Sequence, residues 1–175
     1  MRKALLAAAF ACLLTVSAFA QAPSLIAGTR ELALSGALDT EGPSGTTYNI
    51  DVTYGYFIAD NLEIGGGLAY AFAEGDPDDA TTLGLRGLAD YHFGGASAVV
   101  PYVGARVGWQ SVEIGAIDED AVTYGARGGI KYFIADNVGI DVAIQYLLAS
   151  EDIFVNDGEV EDNDLSLQVG LRVLF

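Results

Sequence analysis

The stretch Leu165-Ser166-Leu167-Gln168-Val169-Gly170-Leu171-Arg172-Val173-Leu174-Phe175 alternates with a period of two. Every odd position is apolar, while the even positions hold Ser, Gln, Gly, Arg and a single Leu. Successive side chains of an extended strand point to opposite faces, so the pattern predicts a strand with one wholly apolar face. The same alternation recurs towards the N-terminus at Arg30 to Leu38, Thr46 to Ile58, Leu62 to Phe72, Thr81 to Phe93, Val100 to Gln110, Val122 to Ile134 and Val138 to Leu148. With Asn163 to Phe175 that makes eight strands, most of them long enough for a tilted strand to cross a bilayer core, about 9–11 residues.

The connections alternate too. Ala59-Asp60-Asn61 and Ala135-Asp136-Asn137 are three-residue turns in which Asn can take the left-handed region, and Gly94 to Val99 is a third short link. Asp39 to Gly45, Ala73 to Ala80, Ser111 to Ala121 and Ala149 to Asp162 are longer and acidic. The predicted fold class is all-β, an eight-stranded antiparallel up-and-down barrel.

Alternation alone also suits a soluble β-sandwich or a lipocalin-like barrel, with the apolar face turned inward. Three features favour a barrel whose apolar face meets lipid. Inside the end residues Arg30 and Asn163, from Leu32 on the first strand and Leu165 on the last, no charged or amide side chain falls on the apolar face of the eight strands, and one Lys or Arg at mid-bilayer costs about 2–4 kcal/mol there. Aromatics on that face gather at strand ends, as interfacial girdles do: Tyr48, Tyr70, Phe72, Trp109, Tyr124 and Tyr146 at the long-loop end, Tyr56, Tyr91, Phe93, Tyr132 and Phe175 at the other. The opposite face is rich in small residues such as Gly65, Gly67, Ala69, Gly104 and Gly129, which fit a narrow interior.

The first residues agree with export. Met1-Arg2-Lys3, an apolar run from Ala4 and the small-residue pattern Ser17-Ala18-Phe19-Ala20 form a signal-peptide layout, so residues 1–20 are expected to be removed and 21–175 to form one outer-membrane barrel domain. Cys12, the single cysteine, lies in that leader behind the bulky Phe10, a poor context for lipid attachment. After Ala20 no apolar run approaches the roughly 18 residues a spanning helix requires. The net charge of −16 argues against nucleic acid as a partner.

The hexapeptide Tyr-Phe-Ile-Ala-Asp-Asn occurs at Tyr56 to Asn61 and again at Tyr132 to Asn137, as if the chain were two four-stranded halves. With these turns and the terminal strand ending in Phe175, the sequence resembles the small outer-membrane β-barrel family that includes the OmpA transmembrane domain and OmpX. The resemblance implies an outer-membrane location, lipid and lipopolysaccharide as surroundings, and recognition of the C-terminal strand, Phe175 included, by the barrel-assembly machinery. It implies no particular activity, because the same barrel hosts inert, adhesive, channel and enzymatic members.

Parity places ten charges inside: Glu31, Asp51, Glu63, Asp90 and Asp141 against Arg86, Arg106, Arg127, Lys131 and Arg172. Five acids facing five bases predict a neutral, side-chain-filled lumen, since an unpaired buried charge is costly. Hairpin register sets Lys131 opposite Asp141, which predicts a contact, and Arg172 and Glu31 should meet near the closure of the barrel. A gated, narrow porin-like channel is the alternative. A conduit for hydrophobic compounds would need more inward apolar residues than Phe57, Leu88, Phe133, Leu147 and Leu174.

The remaining acids crowd the long loops, among them Asp76, Asp78, Asp79, Asp118, Glu119, Asp120, Glu151, Asp152, Asp157, Glu159, Glu161, Asp162 and Asp164, with no Lys or Arg beside them. Carboxylates at this density could take divalent cations, but Asn156-Asp157-Gly158 lacks the alternating acids of an EF-hand, so the expectation is a solvated acidic rim without a defined metal site. No catalytic or cofactor-binding residues are expected. His92 is the only histidine, its parity is inward and it sits at the short-turn end, so no loop can assemble a Ser-His device.

Overall fold

The computed structural model describes residues 23–42, 45–75, 79–94, 97–115, 117–156 and 159–175. The leader 1–20 with Cys12, and the loop acids Asp76, Asp78 and Asp157, lie outside the described residues.

Eight antiparallel strands close into a barrel: β1 (Arg30–Gly42), β2 (Gly45–Ala59), β3 (Leu62–Ala73), β4 (Ala80–His92), β5 (Val99–Ile114), β6 (Ile117–Ala135), β7 (Val138–Ala149) and, after a small hairpin, β10 (Asn163–Leu174). Each pairs with its neighbour in sequence, and β1 pairs with β10 to close the wall. The hairpin, β8 (Phe154–Asn156) and β9 (Glu159–Glu161), occupies the last long connection, Ala149 to Asp162, where the sequence predicts only a loop.

Several strands outrun the expected segments at the long-loop end. The expected loop Ser111 to Ala121 is instead a continuation of the β5–β6 hairpin, paired as far as Ile114 with Ile117. The cause is visible in its inward positions: Val112 and Ala121 are buried and cluster with Ala149 and Ile153, with Ile114 and Phe154 packed on them. Acids at Glu113, Asp118 and Asp120 lie on the outward parity of this segment, and the inward parity carries Val112, Ile114 and Ala121, broken only by the exposed Glu119.

The two copies of the hexapeptide fold alike. In each, the register shifts by one residue just before the turn, between Phe57 and Ala59 and between Phe133 and Ala135. The extra residue, Ile58 or Ile134, faces out, and the preceding Phe57 or Phe133 is fully buried. Asn61 closes the first turn at φ 65°, the left-handed conformation that Asn tolerates.

Exposure is inverted relative to a soluble barrel. Lys131 is 0 % and Glu31 1 % exposed, while Leu165 is 70 % exposed and Leu68, Leu85, Val107 and Ile144 stand out in a continuous apolar belt. A lipocalin-like reading needs the reverse. The belt carries its aromatics at the edges, with Tyr48 against Phe72 at 5.4 Å and Tyr70 at 6.0 Å on one side and Tyr91 against Phe93 at 5.2 Å on the other.

Candidate functional site in the lumen

The short-turn mouth is sealed by apolar side chains. Phe57, Val100, Phe133 and Leu174 form a buried cluster that Leu25 completes from below. Leu25 is held there by the segment before β1, whose Gly28 N–H donates to the Phe57 carbonyl at 2.8 Å, while the Leu25 carbonyl accepts from Asn61 N–H at 2.9 Å and Asp60 Oδ1 from Ala27 N–H at 3.0 Å. His92 lies above the plug, its ring 5.2 Å from Phe57 and 5.5 Å from Tyr102 and its Nε2 3.5 Å from Glu63.

Above the plug the ten charges pair off within the lumen, some across it and some between neighbouring strands. Lys131 Nζ donates to Glu31 at 2.6 and 2.8 Å and to Glu63 at 3.1 Å. Arg172 bridges Glu31 at 3.2 Å and Asp141 at 2.5 Å, and Arg127 also binds Asp141. Arg106 grips Asp90 with two bonds, 2.6 and 2.9 Å, and Arg86 pairs with Asp51 nearer the long-loop end. Thus all ten belong to ion pairs.

The expected contact between Lys131 and Asp141 is met in register but not by an ion pair. Lys131 and Asp141 do face each other in the β6–β7 register, but the bonds of Lys131 go to Glu31 and Glu63. Glu63 and Asp90 sit directly opposite each other on β3 and β4, where two acids repel, so each takes its own cation, Glu63 from across the lumen and Asp90 from the neighbouring β5. Lys131 serves Glu63 and Arg106 serves Asp90, which leaves Asp141 to the two guanidinium groups. In a barrel this narrow, pairing across the lumen competes with pairing along the sheet.

Room for these carboxylates comes from glycine. A Cβ on Gly55 would overlap the Glu63 carboxylate, and one on Gly104 would overlap that of Asp90.

Tyr102 escaped the sequence reading. Its hydroxyl donates to Asp141 at 2.9 Å, and its ring lies 5.4 Å from the Arg127 guanidinium carbon and 5.5 Å from Lys131 Nζ. The signal was available: among nine tyrosines it alone falls on the inward parity. Phe175 sits at the closure, exchanging 2.9 Å backbone bonds with Arg30 while its ring faces outward, 6.4 Å from Tyr54.

Towards the long loops the lumen widens into a cavity of about 320 Å³ lined by polar groups including Asn49, Arg86, Gln110, Gln145 and Gln168. Among the described residues no group of three or more His, Cys, Asp or Glu side chains is set to hold a metal ion.

A closed eight-stranded barrel, apolar outside and charged inside, agrees with the family that the sequence matches. The profile of the outer membrane protein beta-barrel domain covers residues 6–172. The chain belongs to that family. It is accordingly an integral outer-membrane protein with transmembrane β-strands. Among solved structures, the outer membrane protein OprG from Pseudomonas aeruginosa superposes with a TM-score of 0.60 at 14 % identity, over 87 % of this chain and 98 % of that one. Neisserial surface protein A gives 0.56 at 21 % identity, over 84 % and 96 %. Ail from Yersinia pestis, in a phospholipid bilayer nanodisc, gives 0.57 at 13 %, over 85 % and 99 %. At these identities the likeness is one of fold. No curated protein sequence matches the chain.

Proposed function

We propose that this outer-membrane beta-barrel is a non-enzymatic, non-conducting envelope protein that acts through its outer surface. The observation that carries the reading is the filled lumen: ten paired charges above an apolar plug built from Phe57, Val100, Phe133, Leu174 and Leu25. A hydrated ion would have to part several ion pairs and the plug to pass. What remains to meet partners is the prolonged β5–β6 hairpin, the β8–β9 hairpin and their acids.

In this reading residues 1–20 direct export, the strand ending in Phe175 is read by the barrel-assembly machinery, and the acidic rim faces lipopolysaccharide, its phosphates bridged by divalent cations. His92 is buried beside the plug and Glu63, remote from the rim, which supports a structural part for it rather than catalysis.

A narrow pore is the second reading, and one observation favours it. The Arg86–Asp51 pair borders the outer cavity and keeps 18 % and 16 % of its side-chain surface exposed, unlike the fully enclosed pairs below. Single-channel recording in planar bilayers separates the two. The expected outcome is no open state for the native chain or for Arg86→Ser/Arg127→Ser; steps of conductance that change with the double substitution would establish the pore instead.

A further inference from the structure

The wall of the barrel is not uniformly closed. β1 pairs with β2 from Arg30 to Asp39, and β10 pairs with β7 from Asn163 to Val173, but β1 and β10 pair with each other only from Glu31↔Leu174 to Ser35↔Gly170. The reciprocal bonds of Arg30 and Phe175 fix the phase of this ladder: Ser35↔Gly170 is a non-hydrogen-bonded pair closed by a bond between Gly36 and Val169, and beyond it Leu167 and Leu165 aim their N–H and C=O groups into the seam. Among the described residues that upper part of the seam has no ladder partner. Leu165 is also the most exposed large apolar side chain described, as a residue missing a neighbour would be.

Two hollows meet there. Outside, a shallow, open groove runs over the seam between Leu34, Ile50, Ile140, Val169 and Leu171, floored by Gly36 and Gly170. Inside lies the cavity, where Asn49, Gln110, Gln145 and Gln168 stand among apolar side chains such as Leu147 and Phe154, and Ser35, Gly36, Ile50 and Val169 line both hollows. Lipid supplies no hydrogen bonds to an open edge, whereas a polar headgroup does. The cavity holds one such demand of its own: Gln145 is 3 % exposed and its Oε1, like that of Gln110, lacks a donor.

We infer that the upper β1–β10 seam is a binding site for a membrane amphiphile with an uncharged, hydroxyl-bearing headgroup, its chain in the outer groove and its headgroup in the lumen cavity. Charge selects the headgroup. Arg86 is already engaged by Asp51, and the other charged side chain lining the cavity is the acid Asp164, so nothing is left to attract an anion. A hydroxyl donates to the free amide oxygens and also accepts from the open backbone edge. The site is compatible with a lumen closed to ions, because the plug and the enclosed ion pairs lie on the far side of the cavity.

Decyl maltoside titrated into the protein in phosphatidylcholine nanodiscs, followed by backbone amide NMR shifts, tests the site. Saturable shifts are expected at Ser35, Asn49, Ser166 and Gln168, with binding about tenfold weaker for Gln145→Leu, which removes the acceptor, and for Val169→Trp, which fills the groove. Should either variant fail to fold, nuclear Overhauser contacts from the decyl chain to the Gly170 and Leu171 amides of the native chain decide the question. Maltose or decyl phosphate binding as well as decyl maltoside would overturn the inference. So would an absence of saturable shifts, or seam amides covered by a second copy of the chain.

Discussion

Lys131 concentrates the logic of the interior. It is fully buried, yet its ammonium satisfies two carboxylates from strands that are not its neighbours, Glu31 on β1 and Glu63 on β3. Replacing a buried pair with apolar groups can be neutral, but removing one partner strands the others, at about 3–5 kcal/mol. Lys131→Met is therefore expected to lower the unfolding free energy in phosphatidylcholine vesicles, read by urea titration, by about that amount. Adding Glu31→Gln and Glu63→Gln should recover much of it. A single substitution with no measurable cost would mean that water reaches the cluster.

At the scale of strands, the two faces obey different rules. Val107 on β5 is 58 % exposed in the middle of the apolar belt, so Val107→Arg is expected to cost about 2–4 kcal/mol in the same urea titration. A cost near zero would place that face in water. The outer end of β5 and β6 is a different unit, held by Val112, Ala121, Ala149 and Ile153. Val112→Asp should release amide protons near Val112 and Glu119 to rapid hydrogen exchange while those near Val103 and Gly128 stay protected. Loss of protection along the whole hairpin would show instead that the extension and the barrel fold as one.

These elements also mark how far the sequence could be read. Period two fixes parity, and parity is a local property, so the outward belt and the inward placement of residues such as Arg106 and Asp141 follow from single strands. Partner choice is not local. Lys131 lies opposite Asp141 by hairpin register but bonds to residues 100 and 68 positions away, which depends on how far the sheet shears before it closes. Loop chemistry misleads for another reason: acids at Glu113, Asp118 and Asp120 mask the apolar inward phase that lengthens β5 and β6. The plug was half legible, since Phe57 and Phe133 share a hexapeptide, while Leu25 precedes the first periodic strand and gave no signal.

Taken whole, the molecule is an inside-out protein: an apolar belt facing lipid around a neutral, hydrogen-bonded and ion-paired lumen that is stoppered at one end. Its large net negative charge resides in the loops, because the ten inward charges cancel. Which way each face of the wall points can be read on the terminal strand. Nitroxide labels placed one at a time from Leu165 to Phe175, in the protein reconstituted in phosphatidylcholine bilayers, report collision with oxygen, which concentrates in lipid, and with a water-soluble nickel chelate. Oxygen accessibility is expected to peak at every odd position and fall at every even one, with the nickel reagent excluded from the middle of the strand. Odd positions shielded from both reagents, with even positions open to nickel, would mean a water-soluble barrel with its apolar face turned inward.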